Sequence, residues 1–295
     1  MQRLHGETGI SVVAALLSVL FLTLFAAVVV SLVTTSSGIS VQEEQGMQAM
    51  YIAEGGLQYA PLVYNFPNLV TPAPITLGQG NFATTVPQLN PAIDAAVTAI
   101  TVSSTYGFIA APDGQYWAMI GPTTNPLTTS DLVEKISFTG ITATGFTGGT
   151  RGRESSSPAA HPANATVMLY TWYPAVTANL AGATGLGTTI CVDSVAPFPG
   201  SGIIKIVENN ENNSEDVLYT GLGTTVAVCG AGCNACFTGC VRGAYSGGAG
   251  GNHAPPKTVM MAEISVITTS TGIVPGGLFS GNVQRRVQAA IMPLE

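Results

Sequence analysis

Between residues 10 and 33 the chain is apolar except for Ser11, Ser18, Thr23 and Ser31. At a rise of about 1.5 Å per residue this run makes about 36 Å of helix, enough to cross a hydrocarbon core of about 30 Å. A secretory signal would have an apolar core of only about 7 to 15 residues followed by a small-x-small cleavage site. Neither is present, so the run reads as an anchor or assembly helix. Arg3 precedes it and the next basic residue is Lys135, which places the N-terminus on the cytoplasmic side and exports the rest.

Helical patterning continues through residues 42–60, where only Gly46, Gly55 and Gly56 are breakers. A single helix over 10–60 would be about 75 Å long. Beyond it the period changes. Short β-branched runs such as 203–207 and 217–220 are separated by Gly, Pro and Asn and predict strands joined by turns. The predicted class is α+β, a long N-terminal helix followed by a β-rich head.

The head contains an internal repeat. Phe146-Thr147-Gly148-Gly149-Thr150-Arg151-Gly152, His161 and Thr166-Val167-Met168 recur as Phe237-Thr238-Gly239-Cys240-Val241-Arg242-Gly243, His253 and Thr258-Val259-Met260. The match extends upstream, where Ile100 and Val102 face Ile190 and Val192, and Phe138-Thr139-Gly140 faces Tyr219-Thr220-Gly221. Two tandem β modules are expected over 94–174 and 182–261. The flanks 61–93 and 262–295 are expected to build a separate sheet from strands near 80–89, 262–269 and 282–292, around a Gly/Pro-rich turn at 272–277. Either this sheet covers the long helix, with the modules inserted in it, or the last strands complete a third sandwich away from the helix.

Composition places this body outside the cell. Only 8% of residues are charged, against about 25% in an average globular chain. The formal net charge is −7, and no basic face for nucleic acid is evident.

The junction Gly9-Ile10-Ser11-Val12-Val13, after a short polar leader over 1–9, resembles the cleavage site of type IV pilins and minor pilins. The segment Met50-Tyr51-Ile52-Ala53-Glu54-Gly55-Gly56-Leu57 is similar to the helix end of minor pilins. The resemblance covers about the first 60 residues. It implies processing by a leader peptidase between Gly9 and Ile10, methylation of the new N-terminus, residence in the inner membrane before assembly, and packing of Ala14, Val19, Leu22 and Phe25 against other pilin helices in an extracellular filament. One departure matters: the family usually has Glu at the fifth mature position, and here it is Ala14. Some tip-located minor pilins and pseudopilins that prime assembly or secretion also lack that Glu; the other reading is a filament that packs without the charge pair.

Within the repeat, Glu134 and Arg151 correspond to Glu215 and Arg242, the pattern of a carboxylate–guanidinium pair tying a strand to the Arg-Gly turn. Solvated turn arginines are the alternative. All five cysteines, Cys191, Cys229, Cys233, Cys236 and Cys240, fall in the second module. After export they predict two disulfides and one spare thiol, of open connectivity; a zinc or iron–sulfur centre on the Cys-x3-Cys-x2-Cys-x3-Cys run is the alternative. His161 and His253 read as a shared turn rather than a catalytic base, having no nucleophile at motif spacing. The acidic run 208–216 lacks the order of an EF-hand and reads as a hairpin tip. Asn164 and Asn212 begin formal glycosylation sequons and mark surface. No catalytic constellation, metal or cofactor is called for. The expected role is structural and adhesive, in a filament; a membrane-tethered surface enzyme is the remaining class, and it lacks a catalytic set.

Overall fold

The computed structural model describes residues 7–63, 74–121, 133–154, 156–185, 187–209, 213–243, 251–276 and 281–291. Residues 1–6 of the expected leader, residues 64–73 of the first head segment, Asn212 of the second sequon and Met292 lie outside them. So do the side chains of Gly9 and Ile10, whose backbone is helical.

One helix, α1 (Glu7–Val63), carries the apolar run. Its 57 residues span about 85 Å, slightly longer at both ends than the sequence predicts. From Val12 to Glu44 every residue is exposed. The hydroxyls within the apolar stretch bond back to the helix itself: Ser18 donates to the Ala14 carbonyl at 2.8 Å, Thr23 to Leu20 at 2.8 Å and Thr34 to Val30 at 2.9 Å. They therefore ask nothing of the surroundings, which suits a helix in an apolar medium.

Burial begins around Gln45, where the helix meets a small sheet. That sheet starts with β1 (Ile75–Leu77) and β2 (Gly80–Thr85). The body continues with β3 (Ile100–Thr101), β4 (Tyr116–Ile120), β5 (Glu134–Thr142), β6 (Gly145–Arg153) and β7 (Val167–Asn179). Next come β8 (Thr189–Val192), β9 (Gly202–Val207), β10 (Glu215–Tyr219), β11 (Gly221–Gly223) and a single-turn helix α2 (Val226–Cys229). The chain closes with β12 (Ala235–Thr238), β13 (Val241–Arg242), β14 (Thr258–Val274) and β15 (Val283–Ile291).

The strand β14 joins the two parts of the body. Its second half pairs with β2 on one side and β15 on the other, and this sheet covers α1 through Ala49, Ile52, Phe82 and Val274. Of the two arrangements open in the sequence, the last strands thus lie on the helix. The approach is close at Gly272, where a Cβ would collide with the backbone of Ala49 and Ala53. The first half of β14 pairs with β7, and the order outward is β4, β5, β6 and β3 on one side and β9, β10 and β13 on the other. Sequence boundaries at 174 and 261 fall inside β7 and β14, because both strands run on through their neighbours' ladders.

The two halves share their registers. Ile120 faces Glu134 and Val167; Ile206 faces Glu215 and Val259. Gly140 faces Thr147 as Gly221 faces Thr238, and Ile100 faces Phe146 as Ile190 faces Phe237. In the central β7–β14 pair Thr171 lies opposite Glu263, its own counterpart in the repeat, so the ladder reads alike from either end. Each half has a core of its own, one around Phe138, Phe146 and Ile120, the other around Phe237, Tyr219 and Ile206.

Candidate functional site

Five features concentrate the chemistry: two equivalent charge clusters, a buried ionic centre between the halves, the cysteine loop, and the bare helix.

Glu134 opens β5 and is fully buried. Arg151 in β6 grips its two oxygens with Nε and Nη2, each at 2.5 Å, and donates through Nη1 to the carbonyls of Asp94 and Val97. The amides of Gly152 and Ala159 donate to the same carboxylate at 3.1 Å, and His161 Nε2 lies 2.9 Å from Oε2. Burial acts to raise this carboxyl's pKa, but the Arg151 and His161 hydrogen bonds outweigh it and hold it at about 2.

The second cluster repeats the arrangement. Arg242 Nε and Nη2 lie 2.7 and 2.5 Å from the oxygens of Glu215, the Gly243 amide donates at 2.8 Å, and His253 Nε2 is at 2.9 Å. The far nitrogen of His253 meets Glu208 Oε1 at 2.7 Å, and Lys257 also pairs with Glu208. Burial pushes the Glu215 and Glu208 carboxyls up, but the His253, Arg242 and Lys257 bonds bring both below the usual range; the Glu215 hydrogen bond raises the His253 imidazole above its ordinary value. Thus Glu134 meets Arg151 and Glu215 meets Arg242, and each histidine is a third member of its pair. The recurrence of His at 10 and 11 residues after the Arg was the available signal. With both guanidinium groups and both carboxylates engaged internally, these clusters act as clamps; Glu208 and Glu215, in the acidic run, serve His253, Lys257 and Arg242.

Between the halves lies a group that the repeat does not announce. Lys135 follows Glu134 and therefore points to the opposite face of the sheet; Asp216 follows Glu215 in the same way. Lys135 Nζ contacts Asp216 Oδ2 and lies 2.7 Å from Glu154 Oε2. Tyr170 Oη is 2.8 Å from Asp216 Oδ1 and 3.0 Å from Glu154 Oε2, and Lys205 Nζ contacts Glu154 Oε1. The Lys135, Asp216 and Glu154 side chains have no exposed surface. Aromatic rings wall the group: Lys135 lies 4.6 Å from the Tyr170 centroid and Lys205 4.0 Å from that of Trp172, with Trp117 beside both. Burial lowers the Lys135 ammonium's pKa, against the pull of Asp216.

In the cysteine loop, Cys191 bridges Cys233 and Cys229 bridges Cys236. Cys240 is a buried free thiol that burial pushes up to about 12, leaving it protonated and inert. Cys229–Cys236 ties the end of α2 to β12, Cys191–Cys233 ties β8 to the turn after α2, and together they consume three of the four thiols, Cys229, Cys233 and Cys236, that a zinc or iron–sulfur reading would use as ligands.

Ala14, Val19, Leu22 and Phe25 all lie on the exposed part of α1; Val19, Leu22 and Phe25 are 59%, 66% and 69% exposed among the described residues. Compared with protein-family models, with curated proteins and with solved structures, the chain matches none.

Proposed function

We propose that this chain is a type IV pilin-like subunit, anchored in the inner membrane by α1 after export and then packed by the same helix into the core of an extracellular filament. One observation carries the reading. The helix is apolar and bare from Val12 to Val33 and exposed on to Glu44, then becomes the spine of a folded head from Gln45. Such a surface requires a cover, first of lipid and then of like helices. The junction Gly9-Ile10 supplies the processing step that converts one state to the other.

On this reading the head consists of a helix-covering sheet, β1, β2, β15 and the second half of β14, into which two copies of one β module are inserted. Equivalent registers, the twin Glu–Arg–His clusters and the mirrored strand order about β7 and β14 support the duplication. The modules are displayed outward as a structural and adhesive surface, and no catalytic step is assigned to them.

Ala14 favours a second reading, a minor subunit at the filament tip. A carboxylate at this position normally meets the neighbouring protomer's N-terminal ammonium in the low-dielectric core, and a first subunit has no such neighbour. Shearing surface filaments from cells and quantifying this chain in them separates the readings: stoichiometric amounts mean a main subunit, trace amounts a tip subunit. A chain retained wholly in the membrane fraction contradicts both.

A further inference from the structure

We propose that Lys135 and Asp216 condense to an intramolecular isopeptide bond that covalently joins the two halves of the body. The inference rests on the buried centre alone and is independent of the filament reading.

A carboxylate and an amine form an amide when three conditions are met: contact between the reacting atoms, access to the neutral amine, and exclusion of the water that would reverse the reaction. Lys135 Nζ and the Asp216 carboxyl are in contact, on strands held apart from each other in sequence but fixed by the β4, β7, β14 and β9 ladders between them. Both side chains are fully buried, in a wall of Trp117, Tyr170 and Trp172. Burial disfavours the ammonium, which turns Lys135 towards the nucleophilic amine.

Glu154 and Tyr170 complete the apparatus. Glu154 Oε2, 2.7 Å from Nζ, takes one ammonium proton. The free amine attacks Asp216 Cγ, forming the C–N bond. Tyr170 Oη, 2.8 Å from Oδ1, stabilises the charge that develops on that oxygen. Glu154 returns its proton to the departing oxygen, and the nitrogen gives up a second, so one water leaves and Glu154 ends as the carboxylate it began. The sum is ammonium plus carboxylate giving amide plus water, with no oxidant or cofactor. One positive and one negative charge vanish from the core together, and Lys205 with Glu154 remains as a neutral pair. Removing two buried charges also removes the desolvation cost of keeping them in the core. The same contact set has a plainer outcome, a permanent ion pair, and the two differ in mass.

The test is mass spectrometry of the full chain purified from its own host, with cysteines reduced and blocked, followed by proteolysis. The expected result is a branched peptide joining the Lys135 and Asp216 segments, lighter than their sum by one water. Glu154→Gln is expected to leave these segments as separate linear peptides in a folded protein. Recovery of wild-type Lys135 and Asp216 only in unmodified linear peptides overturns the proposal, and a bond from Lys205 to Glu154 overturns the assignment of the pair. A crosslinked Glu154→Gln protein overturns the role of Glu154 as proton carrier; if that variant does not fold, the wild-type peptide decides.

Discussion

Lys135 and Asp216 occupy the same register position in the two halves of the body, one residue after Glu134 and Glu215, and they meet although four strands lie between theirs in the sheet. The sheet must therefore curl until β5 and β10 come together beside Trp117, Tyr170 and Trp172. A lysine in one copy and an aspartate in the other turn that meeting into an attraction; two lysines there would repel.

Removing one partner strands the other in the core. Lys135→Met or Asp216→Leu alone is expected to cost about 3 to 5 kcal/mol, and the double variant less than the sum. Urea unfolding of the four proteins of the cycle measures this, and additive losses would show the two residues to be uncoupled.

Arg151→Ala and Arg242→Ala each leave a buried carboxylate with its histidine and backbone donors alone. Each is expected to lower stability by about 3 kcal/mol or more. Thermal melts check it: an unchanged melting temperature for Arg242→Ala means the guanidinium contributes nothing to its half.

Acid should act through the same clusters. Glu134 is held at about 2, against an ordinary 4.5, so its contribution is complete above the ordinary value and disappears as pH falls through about 2. The difference is worth about 3 kcal/mol. His253 runs the other way: its pKa is raised above 6.5, so its contribution is complete below 6.5 and is lost as pH climbs through the raised value. Urea midpoints followed across pH should fall at both ends, with Glu134→Gln flattening the acid limb and His253→Gln the alkaline one.

Gly272 allows β14 to approach α1. Gly272→Val is expected to push the sheet from the helix and cost about 3 kcal/mol or more, by overpacking against backbone that cannot rotate away. Gly38→Ala on the bare helix meets nothing and should stabilise the helix by about 1 kcal/mol. Hydrogen exchange of the 45–60 segment distinguishes the two; equal protection in both variants contradicts the contact.

The bridges differ in span. Cys191–Cys233 closes 42 residues and Cys229–Cys236 only 7, so chain entropy assigns them about 4 and about 2 kcal/mol. Cys191→Ser should therefore lower the urea midpoint more than Cys229→Ser, and the reverse order would place the stabilisation in local loop packing instead.

The long helix, the β-rich class, the oxidised cysteines and the Glu–Arg pairing are legible in the residues, because each depends on local period or on a motif present twice. His161 and His253 were visible as repeat positions but not as ligands of the carboxylates; that needs the turn to fold back onto β5 and β10. The meeting of Lys135, Glu154, Tyr170, Lys205 and Asp216 was not legible at all. It is set by sheet curvature and by the pairing of β7 with β14, both non-local. The module edges at 174 and 261 were blurred for the same reason, since one strand serves two ladders.

The proposed processing of α1 is read most directly at the mature N-terminus. Mass spectrometry of this chain recovered from sheared surface filaments is predicted to show a protein beginning at N-methylated Ile10. A chain that retains Met1 and stays in the membrane fraction would contradict it.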